Sequence, residues 1–409
     1  MTSLHLLLAV FGLLTLFGLV MVLSASSVTA LTSSGSSYSV FNRQLMFGCV
    51  GLVAFYIALR VPPHCWRQIS PILLLGSIAA LIAVLVPGVG VIRNGSRGWF
   101  AVGSLSLQPA EIAKLALALW GAHMLAARRK VMQHWRHALS PVLPVSLVML
   151  TLLVLQPDLG GAVSLAIVVG ALLYYGGAPA RLLAALAVGG AAGAVILGLT
   201  AGYRASRINS FLSGDTGDPF GAAYQARQGL YSLADGGLLG VGLGQGRAKW
   251  DYLPNAHNDF IFAIIGEELG LIGTFAVLAL FGTLTYTGLR IAVRVVDPWC
   301  KIVGATATTW LVIQAAINIG YVVGLLPVTG LQLPLISSGG TSLVTSMFTF
   351  GLLANLARHE PEAVAVSREN GPGPLAQLLR LPRPVSTPGP TSNYAAHRTA
   401  PGFRRPLER

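Results

Sequence analysis

Runs of apolar residues broken by short polar segments dominate this chain from end to end. They fall at residues 5–25, 44–61, 70–87, 108–126, 140–156, 161–176, 181–201, 259–289, 302–326 and 335–357. A helix needs roughly 20 apolar residues to cross the hydrocarbon of a bilayer. The pattern therefore predicts an all-α polytopic membrane protein with about ten transmembrane helices. Gly and Pro inside several runs fit this reading, because neighbouring helices in lipid can satisfy the backbone groups they free. Only His5 precedes the first apolar core, so the basic stretch of a signal peptide is missing. Small residues follow Ser24, as at a cleavage site, but the run reads as an uncleaved first span.

Charge sets the expected orientation. With the N-terminus inside, the inner loops hold Arg60 and Arg67; then Arg128, Arg129, Lys130 and Arg136; then Arg181; then Arg290, Arg294 and Lys301. The short outer loops are poorer in cations, Arg93 and Arg97 excepted. That asymmetry predicts N-in and C-in. Two outer segments stand out: the Gly- and Ser-rich residues 88–107, and a long extracellular loop, residues 202–258, between spans seven and eight. The long loop carries Tyr224, Tyr231, Trp250 and Tyr252 and is not of low complexity, so it reads as functional rather than as a linker. Residues 1–357 form one membrane domain, and the Pro- and Arg-rich residues 358–409 read as a disordered cytoplasmic tail.

Composition changes this picture little. Charged residues make up 10% of the 409 and hydrophobic ones 54%, too few charges for a water-exposed surface. The net charge of +13 is what basic inner loops produce. No basic run with interleaved aromatics points to nucleic acid. Cys49, Cys65 and Cys300 are odd in number and widely spaced, which indicates neither disulfides nor a zinc site.

Ionisable residues at membrane depth are functional candidates by default. In Gln108-Pro109-Ala110-Glu111-Ile112-Ala113-Lys114, Glu111 and Lys114 share a helix face. They form either a packing ion pair or, with Arg97 upstream, part of a clamp for a pyrophosphate. In Gln156-Pro157-Asp158-Leu159-Gly160, Asp158 is ordinary turn chemistry. Asp259 stands where the long loop enters span eight, as a helix cap or as a general base at the membrane surface. Glu267 and Glu268, deeper in that span, need partners, and Lys114 is the cation expected to meet them.

The strings NGSRGW (94–99), SLQPAEIAKL (106–115), QPDLG (156–160), GLGQGRAKWDYLPNAHNDFIFAIIGEELGLIG (242–273) and GLLPVTGLQLPLISSGGTS (324–342) occur in one order along residues 1–357. In them the chain resembles the FtsW/RodA family, also called SEDS proteins. NGSR and GEELG look more like the division branch than the elongation branch, and GQGRAKWDYLPNAH looks actinobacterial. The resemblance implies a peptidoglycan glycosyltransferase in a bacterial cytoplasmic membrane, at the division septum. It would polymerise lipid II at the outer face, beside a class B penicillin-binding protein and other division proteins. It implies a catalytic Asp259 and substrate-binding Arg97, Glu111, Lys114, Lys249 and His257. Departures from the family pattern, Asn255 for Glu, Asn258 for Thr and Gly98 for a second Arg, leave Asp259 in place but put secondary polar contacts in question.

As a mechanism, an acceptor 4-hydroxyl deprotonated by Asp259 attacks the donor's anomeric carbon with inversion, and Arg97 and Lys114 meet the departing pyrophosphate. No cofactor is certain; a divalent cation, Mg or Mn, is left open, although no ligand cluster is visible. Two rivals stand beside this reading: a lipid II flippase, which also suits broken helices and intramembrane charges, and a non-catalytic division scaffold.

Overall fold

The computed structural model describes residues 2–93, 95–103, 105–128, 142–200, 222–250, 253–254, 256–371 and 373–384. Helices occupy all ten predicted positions. They are α1 (Thr2–Ser34), α2 (Ser39–Arg60), α3 (Pro63–Ala83), α4 (Pro109–Ala127), α5 (Val142–Leu155), α6 (Leu159–Tyr175) and α7 (Ala180–Thr200). After an additional α8 (Ala222–Gly236) come α9 (Ile261–Arg294), α10 (Pro298–Val322) and α11 (Gly340–Arg358). Among the described residues seven of these are long and apolar enough to cross a membrane, namely α1 to α4 and α9 to α11; α5 to α7 are shorter apolar helices.

Local chemistry sets several starts. Pro occupies the first turn of α3, α4 and α10, where its missing N–H costs nothing. Asp158 caps α6 by accepting from Gly161 N–H at 2.7 Å, and Asp297 caps α10 by accepting from the N–H groups of Trp299 and Cys300.

Helices α4, α9, α10 and α11 form the buried centre, whereas α1 to α3 keep outward faces of exposed Leu16, Ile72 and Leu75. Between apolar helices in lipid, close approach depends on small residues. A Cβ on Gly351 of α11 would lie 2.4 Å from the carbonyl oxygen of Phe55 in α2, so only Gly lets that seam close. Likewise a Cβ on Gly18 of α1 would lie 2.5 Å from the Leu335 carbonyl oxygen, far along the chain.

Three features depart from the sequence reading. Residues 91–107 form a three-stranded antiparallel meander, β1 (Val91–Arg93), β2 (Ser96–Val102) and β3 (Leu105–Leu107), with Val91 opposite Trp99 and Phe100 opposite Leu107. The long loop, expected to lack periodicity, contains α8, whose Gly229 lies against the Phe260 ring and whose Gly236 lies against the backbone of Gly266. Residues 201–221 and Tyr252 of that loop lie outside the described residues. The chain past residue 358 continues as α12 (Pro361–Glu369) and α13 (Pro374–Leu378), with Leu381 buried and the Leu379 carbonyl accepting from the Tyr56 hydroxyl. Helical structure thus continues past residue 357, and residues 385–409 of the tail lie outside the described residues.

Helix α9 is broken at Gly270 (φ 64°, ψ −161°). The carbonyls of Glu267 and Glu268 that the break frees accept instead from the N–H groups of Val241 and Gly242, at 2.9 and 3.0 Å. That exchange keeps the interrupted backbone satisfied without water.

Candidate functional site

A cavity of about 690 Å³ opens at the end of the bundle where α2, α4, α6 and α11 begin. Asp259, His257, Asn258, Glu111 and Asp158 face it, together with the 327–332 loop and the 338–340 turn. These residues come from distant parts of the chain, and a network of buried polar groups holds them together.

Asp259 sits in the turn before α9. Its carbonyl accepts from Asn318 Nδ2 and from the Tyr321 hydroxyl, each at 2.9 Å, both groups being fully buried in α10. The same two side chains donate to the Leu331 carbonyl at 2.7 Å. α10 thereby ties the Asp259 turn to the 327–332 loop. Gly330, at φ 76°, brings bare backbone close to the Asp259 carboxylate: a Cβ there would be 3.6 Å from Oδ2. Next door, Gln332 Nε2 donates to Asn258 Oδ1 at 3.0 Å, and Ser338 N–H donates to the His257 carbonyl. Burial, aided by the cation of Arg43, pushes the His257 imidazole below its ordinary range. Burial pushes the Asp158 carboxyl up, against its bonds from Gly161 N–H and Gln108.

Below the cavity floor, Lys114 is fully buried and bonded to Glu111 Oε1 at 2.8 Å, to Ser164 Oγ at 3.1 Å and to Gln314 Oε1 at 3.4 Å, with the Trp310 ring 5.1 Å away. Gln314 Nε2 in turn donates to the Gln332 carbonyl. A polar spine thus runs from Glu111 and Lys114 through Gln314 and Gln332 to Asn258. A buried charge is tolerated only when paired and hydrogen-bonded in this way.

The six residues singled out from the sequence do not all converge. Asp259, His257 and Glu111 line the cavity; Lys114 lies one layer behind Glu111; Arg97 and Lys249 lie outside the lining. Arg97 belongs to β2, where its N–H donates to the Gln156 carbonyl. Lys249 is buried, donating to the Gly244 carbonyl at 2.5 Å and to Glu268 Oε1 at 3.3 Å. The expectation that Glu267 and Glu268 pair with Lys114 is therefore corrected. Glu268 takes Lys249 and the Ser24 hydroxyl, and Glu267 accepts from the N–H groups of Arg247 and Ala248. The break at Gly270 folds the 237–249 segment back over these acids and supplies their partners locally.

Among the described residues the cations that face the cavity are Arg43 and Arg93. Arg93 donates to Ser106 Oγ at 3.0 Å and lies over the Trp99 ring, so the meander carries it to the rim. Sequence reasoning passed over both. Arg93 was visible as an outer-loop cation beside Asn94-Gly95, a strong hairpin signal; Arg43 carried no signal, standing at the start of an ordinary apolar run. The departure at Asn255 lies outside the described residues.

The family model described as cell cycle protein FTSW_RODA_SPOVE matches residues 4–362. The chain is 52% identical to the probable peptidoglycan glycosyltransferase FtsW of Mycobacterium tuberculosis (strain ATCC 25618 / H37Rv), over 94% of this chain and 73% of that protein. It is 40% identical to stage V sporulation protein E of Bacillus subtilis (strain 168), over 88% of this chain and 98% of that one. Among solved structures it is similar to a chain from work on the structural coordination of polymerization and crosslinking by a peptidoglycan synthase complex, with a TM-score of 0.71, 27% identity and coverage of 86% and 96% of the two chains. It is also similar to the rod shape determining protein RodA of Thermus thermophilus, with a TM-score of 0.65, 27% identity and coverage of 87% and 96%. The matched region takes in every element that builds the cavity, and the chain belongs to the FtsW/RodA/SpoVE family of cell cycle proteins.

Proposed function

We propose that this chain is a membrane-embedded peptidoglycan glycosyltransferase that joins lipid II units into glycan strands, with Asp259 as its general base. The observation that carries the reading is the placement of Asp259 in the wall of a cavity rimmed by Arg43 and Arg93. Glycosyl transfer with inversion needs a carboxylate near the attacking hydroxyl and cations where negative charge develops on the leaving group. Asp259 takes the proton of the acceptor 4-hydroxyl as its oxygen bonds to the donor's anomeric carbon. The bond from that carbon to undecaprenyl pyrophosphate breaks, and the pyrophosphate departs with the electron pair. Arg43 and Arg93, rather than Arg97, are the cations the cavity offers to it, with His257 and Glu111 as polar contacts to sugar or phosphate. Lys114 acts through Glu111, holding its carboxylate in one place.

The cavity end faces outward in this reading, and the septum is the site of action. A class B penicillin-binding protein is the proposed partner, in keeping with the likeness to a peptidoglycan synthase complex. Among the described residues no group of three or more His, Cys, Asp or Glu is placed to hold a metal ion. No step above is routed through one.

The test is polymerisation of labelled lipid II by the purified full chain, with and without its class B partner. Glycan ladders lost in Asp259→Ala and Asp259→Asn support the assignment. Near wild-type ladders in both folded variants sink it, and lipid translocation without polymer would favour the flippase.

A further inference from the structure

The opposite end of the bundle holds a second cavity, of about 630 Å³, that the transferase reading does not use. It lies where α2 and α11 end and α3, α10 and α12 begin. Among the described residues five arginines line it, Arg60, Arg67, Arg358, Arg368 and Arg383, against one acid, Asp297, while Glu360, between the lining residues His359 and Pro361, pairs with Arg294. Asp297 is already engaged, its carboxylate capping α10.

Helix termini account for part of this charge. Arg60, Arg358 and Arg368 stand in the last turns of α2, α11 and α12, where cations complement the helix dipole. They do not account for the rest. Arg67 stands one turn into α3 and donates to His123 Nδ1, and Arg383 follows the last helix. Arg60, Arg67 and Arg358 form no ion pair among the described residues: Arg60 meets the Tyr56 hydroxyl, and Arg358 the carbonyls of Leu59 and Pro382. Arg358 is buried, so its charge is removed from water without a carboxylate to balance it. The N-terminus of α3 opens on the same space with no side-chain cap, and such an end attracts anions, whereas that of α12 carries Glu360 and Glu362, both paired with Arg294. The remaining walls join His64, Asn355 and His359 to apolar Pro62, Val295, Val296 and Val364.

We propose that this cavity is a phosphate-binding site, taking either the headgroup phosphate of an anionic lipid or a soluble phosphate. Arginine forks bind phosphate oxygens bidentately, the uncapped start of α3 adds to the field, and the apolar part of the wall suits the first methylenes of a lipid. Basic pockets between membrane helices at one end of a bundle commonly hold anionic headgroups. The inference is independent of Asp259 and of what the first cavity does.

The experiment is calorimetric titration of the purified full chain in a neutral detergent with three probes: dioctanoyl phosphatidylglycerol, dioctanoyl phosphatidylcholine and inorganic phosphate. Saturable binding of phosphatidylglycerol, weakened tenfold or more in Arg60→Gln and Arg67→Gln, is expected. Both variants leave the bonds of Arg358 to Leu59 and Pro382 in place, so the fold is kept. Inorganic phosphate competing at the same site would identify a soluble phosphate as sufficient, and its failure to compete would identify a lipid. Equal binding of phosphatidylcholine, no saturable binding of any probe, or affinities unchanged in both variants would overturn the site.

Discussion

The hydroxyl of Tyr321 donates to the main-chain carbonyl of Asp259 at 2.9 Å, so a helix that supplies no carboxylate to the cavity decides where the carboxylate stands. Asn318 shares this role at the same distance. Tyr321→Phe removes one of two donors while keeping the ring against Phe260. A neutral hydrogen bond contributes about 1 kcal/mol, so kcat should fall roughly five-fold. Lipid II affinity should stay near wild type, because the tyrosine lies outside the cavity lining. Steady-state polymerisation kinetics check this, and a change confined to KM would contradict it.

Arg43→Gln and Arg93→Gln should each lower kcat/KM by about tenfold or more, as loss of a group that stabilises developing charge does. Arg97→Gln should have the smaller effect, since Arg97 lies outside the cavity wall. Side-by-side ladders from the three variants decide between the rim seen in the fold and the cations favoured by the sequence.

Lys249→Met leaves Glu268 buried without its cation. Breaking one side of such a pair costs about 3–5 kcal/mol, whereas replacing both partners by apolar groups is often close to neutral. Lys249→Met should therefore lower the Tm in detergent sharply, and the double variant Lys249→Met, Glu268→Leu should recover much of it. Unchanged Tm with weakened lipid II binding would return Lys249 to the substrate.

Two glycines of one seam should respond oppositely. A Cβ on Gly351 meets the Phe55 carbonyl oxygen at 2.4 Å, and one on Gly48 meets nothing within 4 Å. Gly351→Ala should destabilise by about 1–3 kcal/mol through overpacking, while Gly48→Ala in the middle of α2 should be neutral or slightly stabilising. Thermal melts of the two purified variants provide the comparison.

Burial and Arg43 hold the His257 imidazole below its unfolded value of 6.5. A depressed folded pKa favours the neutral ring in the fold, so this contribution to stability is present above about pH 6.5 and lost as pH falls through the folded pKa. His257→Gln lacks that linkage. Wild type should lose Tm relative to His257→Gln on acidification below pH 6.5, and parallel pH profiles would show the histidine uncoupled from folding.

Much of this architecture was legible because hydrocarbon thickness sets helix length. Each apolar run had one plausible use, and helices stand at all ten positions. Asp259 and Glu111 stood out as ionisable residues beside apolar runs, His257 came only through the family resemblance, and all three line the cavity. What escaped depended on how the chain turns back on itself. Which cation meets Glu268 follows from the break at Gly270, and a lone Gly in an apolar run does not announce a left-handed φ. Arg43 lies more than 200 residues from Asp259 in sequence, and only the packing of α2 against α11 carries it to the cavity. The α8 helix was hidden by its mixed composition, although its apolar side packs on Phe260, on the kinked start of α9 and, through Leu230, beside Gly324.

The contact between Gly18 and the backbone at Leu335 bears on how the protein is made. The two residues leave the ribosome at opposite ends of synthesis. At roughly 5–20 residues per second, α1 and α2 wait for the order of half a minute before their partner loop and α11 exist. During that interval Gln44 lacks the Ser337 carbonyl to which its amide later donates. The cavity around Asp259 closes only once the last long helix has been made.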